Sequence, residues 1–428
     1  MQKSSFHSNN RRDNMNLGKY SFGVGDRFGH QARAQLAAFQ KAGDAGVEIT
    51  PVWNKSDREH RIIGTQPPDV RREADEAVRS CGWGEAYFVD ADHVGLKNVD
   101  GFVNASDFFT LDVADFIGET AEEAGIRAFV DSQAGRIGDL LIPGLDEPIR
   151  VTRDLLRETA GKYLFAVRQA GRTYRHILEK KSSSDFITEV SMDETDSAQT
   201  PVELLFILAM IAREKIPVAT LAPKFTGRFN KGVEYVGDPD RFEKEFDADL
   251  AVIRFAVREF GLPSGLKLSV HSGSDKFAIY GPIRKALKKH DAGVHIKTAG
   301  TTWLEELIGL AEAGRDGLSL AREIYTSAFH RFEELAKPYA TVIDIDSSRL
   351  PDPSDLEAWD GKRFAATLRH DPSNPHYNPH FRQLLHVGFK VAAEMNGRYL
   401  QALRDHETVI ARNVTGNIYE RHMKRLFL

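Results

Sequence analysis

The stretch LKLSVHSGSDKFAIYGP, Leu266 to Pro282, carries a strand pattern that ends in a knot of polar groups. Successive side chains of a strand point to opposite sides, so Leu268 and Val270 share one face while Lys267, Ser269 and His271 share the other. Such a strand needs apolar cover on one side, and its polar side faces either bulk water or a working cavity. Seven further apolar runs bear on that choice, at Tyr20–Val24, Val47–Trp53, Ala86–Asp92, Phe108–Val113, Phe186–Ser191, Val218–Pro223 and Val294–Gly300. Amphipathic helix patterns separate most of them. One is PVELLFILAMIAREK, with Thr200 as N-cap and Pro201 at the first helical position.

Strand and helix alternating eight times argue for a parallel sheet clothed by helices, an α/β protein whose eight strands close into a (β/α)8 TIM-like barrel. An open doubly wound sheet is the competing architecture. A barrel needs only ~250 residues, and the chain has 428. The surplus falls in a helical insertion after the fourth strand, about residues 117–183, and in a helical C-terminal extension, about 338–428, broken by Pro-rich stretches. Residues 1–18 are polar, lack an apolar targeting core and read as a disordered leader, leaving 19–428 as a single catalytic domain.

Hydrophobic content of 41% and charged content of 28% are those of a soluble globular protein. The net charge of -5 is spread along the chain, which gives no basic footprint for nucleic acid or an anionic membrane. No apolar run approaches the ~18 residues of a membrane span. The expected partners are therefore a small molecule and copies of the chain itself, as a homo-oligomer, and the expected location is cytoplasmic. The lone Cys81 excludes an intrachain disulfide framework and a thiolate-rich zinc site.

In such a barrel the chemistry sits at the carboxyl ends of the strands, where loops bring different side chains together. The third strand ends in Asp90, Asp92 and His93, and the fourth carries Asp112. The fifth carries Glu189, Ser191 and then Asp193; the seventh ends at His271, and the eighth holds His295 and Lys297. Inward polar groups must satisfy one another, a metal or a ligand. Converging imidazoles and carboxylates suit a divalent cation, zinc, manganese or iron(II), with a position open to substrate. His93, His271 and His295 are the leading ligands, with Glu189 as a fourth. A set of hydrogen-bonded core histidines is the alternative.

The loop after the sixth strand, LAPKFTGRFNKGVEYVGD, sets Lys224, Arg228 and Lys231 beside Asn230, which suits a carboxylate or phosphate if it is not simply a solvated basic loop. Arg27 and Lys276 extend the same positive rim. Ser272, Ser274, Asp275 and Lys276 follow His271 onto a loop that would meet substrate. GVGDRFG, Gly23 to Gly29, resembles a dinucleotide fingerprint, but its last spacing is one residue too long and Asp26 would meet the pyrophosphate charge, so it reads as a tight turn at the barrel mouth. His376, His380 and His386, in HYNPHFRQLLHVGFK, read as packing and hydrogen-bonding groups, with a contribution to a lid as the alternative.

The motifs GVGDRFGHQARAQL, VDADHV, DFFTLDVADFIG, TEVSMDETD, APKFTGRFNKGVEYVGD, LSVHSGSDKF and HIKTAGTTWLE together resemble the tagaturonate epimerase family. The resemblance runs from about Tyr20 through HFRQLLHVGFK. It implies a metal-dependent enzyme that interconverts D-tagaturonate and D-fructuronate, keto-uronates differing at carbon 4. That carbon is not adjacent to the ketone at carbon 2, so its hydrogen is not acidic. Retro-aldol cleavage between carbons 3 and 4, rotation of the aldehyde and re-addition avoids the difficulty. On that route Asp92 is the expected base and Glu189 the expected acid, with Lys224, Arg228, Lys231 and Lys297 for the substrate carboxylate. The alternatives are a metal-dependent sugar or sugar-phosphate aldolase or isomerase, an epimerase that oxidises carbon 4 transiently with bound NAD, and a sugar-acid-binding protein without catalysis.

Overall fold

The structure, a computed structural model, describes residues 15–195, 197–298, 300–395 and 397–428. Eight parallel strands close a barrel: β1 (Tyr20–Val24), β2 (Thr50–Ser56), β3 (Phe88–Val94), β4 (Phe108–Asp112), β5 (Ile187–Ser191), β6 (Val218–Ala222), β7 (Lys267–Val270) and β8 (Val294–Thr298). Neighbours in the ring follow chain order, and β1 closes against β8 with Gly23 beside Lys297 and Ser21 beside His295. The expected (β/α)8 barrel is thus observed. β2 begins later than its apolar run and continues through Asn54 to Ser56, because its inner face at that end is polar and points into the barrel mouth.

The helices follow the local rules. Thr200 and Glu203 form a reciprocal capping box that starts helix Pro201–Arg213, whose residues Leu204 to Ile211 are all buried. Between β4 and β5 lie helix Glu123–Ser132 and the 29-residue helix Arg153–Lys181. The stretch expected as a helical insertion also holds an antiparallel ribbon, Gly138–Leu140 with Ile149–Val151. The C-terminal extension is helical, and its segment Glu407–Gly416 packs on helices Ala32–Asp44 and Thr301–Glu312. The expected leader lies outside the described residues as far as 14; from 15 the chain is placed, and Leu17 is buried at the base of the barrel. None of the described helices is long and apolar enough to cross a membrane.

Inside the barrel the layers change character from base to mouth. The base is an apolar plug of Leu17, Val52, Phe88, Phe108 and Ile187. Beside it the Lys267 ammonium donates to the carbonyls of Gly18 (2.7 Å), Lys19 (3.2 Å) and Leu17 (3.4 Å), and burial pushes its pKa down to about 7. The polar face of β7 therefore points inward, as the closed barrel requires, and every residue of that strand is buried.

Candidate active site

Strict alternation would send Asp92 and His93 to opposite faces of β3. The chain avoids this with a register shift between Ala91 and Val94 and a left-handed backbone at His93, φ 54°, a conformation non-glycine residues seldom hold away from sites that need it. Both side chains consequently line one cavity of about 310 Å³ at the mouth. A second cavity, of about 370 Å³, adjoins it, and Asp193, His271 and Ser272 line both.

At that junction His93, Asp193 and His271 each offer one ligand atom, all within 4.8 Å of one another. The two rings meet edge to face with centroids 5.3 Å apart. Each imidazole has committed its other nitrogen. His93 Nδ1 is 2.9 Å from Asp112 Oδ2, and His271 Nε2 is 2.7 Å from Glu189 Oε1, the orienting contacts that ligand histidines commonly have. His271 Nδ1 lies 3.2 Å from Asp193 Oδ1 yet is buried without a hydrogen-bond partner among the described residues. Two bases close together with no proton geometry between them, and a third within reach, fit a divalent cation. Burial disfavours the imidazolium of His271, but Asp193 and Glu189 outweigh it and push its pKa up to about 9. The same negative potential would favour a cation over those protons.

Beneath this cluster Lys297 gathers the acids. Its Nζ lies 2.8 Å from Asp90 Oδ2, 2.8 Å from Asp92 Oδ1, 2.9 Å from Glu189 Oε1 and 2.5 Å from Thr110 Oγ1. Burial alone would raise Asp92, but Lys297 and the two histidines hold it below the usual carboxylate range. Asp90 goes the other way, up to about 7, because burial and the neighbouring Asp92 and Glu189 charges prevail over Lys297.

Several expected roles change. His295 does not join His93 and His271. It sits deeper, with Ser21 Oγ 2.9 Å from its Nδ1 and Phe108 against its ring, and burial pushes it down to about 3. Glu189 is fully buried, contacts Lys297, His271 and Thr220, and does not itself line the cavity. Lys297 lines the cavity with its charge already engaged by three carboxylates. Asp275 and Lys276 turn away from the mouth. Asp275 pairs with Arg382 at 2.8 Å, and Lys276 donates to the carbonyls of Asn230, Val233 and Ser274. Both are completely buried, so Lys276 does not extend the positive rim and Asp275 does not reach the cavity.

The remaining candidates do reach the cavities. Arg27, Lys231 and Ser274 line the first; Lys224, Arg228 and Asn230 line the second; Ser272 lines both. Arg27 is paired with Glu59 at 3.1 Å and stacked on Phe389, and Arg228 reaches outward to Asp344 at 3.3 Å. In GVGDRFG the anion-binding amides are taken: Asp26 accepts from Gly29 N (2.8 Å) and Gln31 N (2.5 Å), so its own carboxylate fills the place of a pyrophosphate. Gly23 faces inward, where a Cβ would crowd Lys297.

Asn54 and His386 are among the cavity residues whose chemistry the sequence does not announce. Asn54, buried against the cavity, has no hydrogen-bond partner for either amide atom among the described residues. His386 comes from the C-terminal extension. Asp193 carried a usable signal, two residues after Ser191 on the same face; its carboxylate accepts from Ser191 Oγ at 2.6 Å.

The profile described as tagaturonate epimerase matches residues 11–426. A relative, the tagaturonate/fructuronate epimerase of Thermotoga maritima, is 29% identical over 423 residues, covering 95% of this chain and 80% of its own. Among solved structures, the one-glycerol complex of fructuronate-tagaturonate epimerase from Cohnella laeviribosi superposes with a TM-score of 0.77 at 22% identity, over 95% of this chain and 81% of that one. The native crystal structure of the same enzyme gives 0.75, over the same shares. These superpositions show the fold.

Proposed function

The chain belongs to the tagaturonate epimerase family, an isomerase family acting on carbohydrates, and on that premise we propose that it interconverts D-tagaturonate and D-fructuronate by metal-assisted retro-aldol chemistry. The observation that carries the finer reading is the His93–Asp193–His271 cluster at the junction of two cavities, with the Asp92–Lys297 pair beside it. His93, Asp193 and His271 would hold a divalent cation, zinc, manganese or iron(II), whose Lewis acidity would polarise the C2 ketone.

The protein's own groups supply the rest. Lys297 keeps Asp92 ionised, and Asp92 takes the proton of the C4 hydroxyl. The C3–C4 bond breaks, its electron pair passing to the three-carbon ketone fragment while C4 becomes an aldehyde. The aldehyde turns its other face to C3, and the bond re-forms with inverted configuration. Glu189 and Asp112 fix the ring orientations of His271 and His93. Lys231 in the first cavity and Lys224 in the second suit the uronate carboxylate.

The test is proton NMR of D-tagaturonate with purified protein, before and after chelation and after metal is restored, with metal content measured by mass spectrometry. We expect D-fructuronate to accumulate, to stop on chelation and to resume on reloading. His93→Ala and His271→Ala should lose the metal, and His295→Gln should retain it. Tagaturonate unchanged over hours sinks the epimerase reading; free triose without the epimer makes the protein an aldolase; full activity without metal removes the cation.

A further inference from the structure

Retro-aldol epimerisation presents the C4 oxygen to two faces in turn, and Asp92 serves only one. We propose that His386 is a further catalytic residue, the neutral imidazole that donates a hydrogen bond to the C4 oxygen on the face opposite Asp92. The inference rests on the retro-aldol reading above.

Four observations carry it. First, His386 is 4% exposed and lines the same cavity as Asp92 and Lys297, although it belongs to helix Pro379–Val387 outside the barrel. Second, its ring is wedged between Gly232, in the loop after β6, and Gly300, after β8; a Cβ at Gly300 would fall on the ring and one at Gly232 would crowd it. In an eight-strand ring β7 stands opposite β3, and β6 and β8 flank β7, so the imidazole stands across the mouth from the strand that bears Asp92. Third, among the described residues His386 Nδ1 is buried without a hydrogen-bond partner, a cost that a ligand oxygen would relieve. Fourth, the segment is held firmly: Arg27 donates to the His386 carbonyl at 3.0 Å, Trp303 to that of Leu385 at 2.6 Å, and Arg382 is anchored on Asp275.

Burial, with Arg27, Lys231 and Arg382 nearby, keeps the ring well below the ordinary histidine pKa, so it acts as a neutral donor. After cleavage and rotation, the electron pair of the three-carbon fragment attacks C4 and the carbonyl electrons move onto oxygen, which becomes an alkoxide against the His386 N–H. His386 keeps its proton. Water in the open mouth protonates the alkoxide, and Asp92 returns to water the proton it took.

A catalytic His386 predicts an asymmetry that a structural role does not. Each epimer places its C4 oxygen on a different face, so each half-reaction leans on a different residue. The experiment measures incorporation of 13C-labelled dihydroxyacetone into tagaturonate and, separately, into fructuronate, as initial rates with wild type, His386→Leu, His386→Asn and Asp92→Asn, alongside thermal unfolding. His386→Leu should slow exchange through one epimer about 100-fold, the scale of losing an oxyanion donor, with the other within about 3-fold. Asp92→Asn should slow the complementary epimer. His386→Asn, which still offers an N–H, should recover at least a tenth of wild-type exchange. Equal losses for both epimers, or none, overturn the role of His386. A wild type that epimerises without incorporating label and with no 13C kinetic isotope effect at carbons 3 and 4 overturns the retro-aldol reading instead, and the proposal with it.

Discussion

Replacing Lys297 by methionine removes the one cation shared by Asp90, Asp92 and Glu189 while keeping the length of the side chain. The three carboxylates are at most 6% exposed, so water cannot take over. Removing one partner of a buried ion pair costs about 3–5 kcal/mol, and the four contacts at 2.5–2.9 Å put this site within that range. At roughly 2.1 cal/mol/K per residue, 428 residues give an unfolding entropy of about 0.9 kcal/mol/K, so Tm should fall by about 3–6 °C at pH 8. The sign with pH follows from linkage. Without Lys297 the folded-state pKa values of these acids rise above their unfolded values, so the folded protein takes up protons first as pH falls. The deficit should therefore be largest in mildly alkaline solution and shrink toward pH 5. Calorimetric scans of metal-free wild type and Lys297→Met at pH 5 and pH 8 measure both effects. An unchanged Tm at pH 8, or a larger deficit at pH 5, would refute the reasoning.

Two other perturbations test neighbouring layers. His295, pushed by burial down to about 3 from an ordinary value near 6.5, stays neutral when the unfolded chain takes up its proton. Its contribution to stability is present above pH 6.5 and is lost as pH falls toward 3, so wild type should lose about 2–3 kcal/mol more than His295→Gln between pH 6.5 and 4.5 in urea titrations; parallel pH profiles would contradict this. Asn54→Leu removes a buried amide that has no partner, so ligand-free Tm should hold or rise while kcat/KM falls about 10- to 100-fold; a lower Tm with unchanged kcat/KM would assign Asn54 to the scaffold.

Much of the barrel was written locally. Alternation in β7 and β8, the Thr200 capping box and the polar ends of β3 and β5 depend on neighbours a few residues apart, and the family resemblance is borne out by the profile match. The site was less legible wherever the chain turns sharply. Left-handed residues at Ser272 and Asp275, φ 49° and 62°, redirect the loop after β7 so that Ser272 and Ser274 face the cavity while Asp275 and Lys276 plunge into the protein. Nothing in the order SGSDK announces that division. Asn54 was not legible because it follows the apolar run that ends at Trp53 and becomes buried only once the barrel closes around it. His386 lies 86 residues beyond Gly300, against which it packs, and no periodic pattern spans that distance.

The seal at the base of the barrel bears on which reaction the molecule can complete. Among the described residues, Lys267, locked onto three carbonyls beside a plug of apolar side chains, closes the interior of the barrel at its base, so the reacting groups meet solvent at the loop-lined end. On a retro-aldol path each turnover becomes a contest between recombination and escape of two small fragments, and a closed rear exit reduces escape without adding any affinity for them. An aldolase and an epimerase could then share every reacting group and differ only in that partition ratio. Loosening the base, as Lys267→Ala would, should raise the fraction of turnovers that end in free triose while leaving the groups at the mouth untouched.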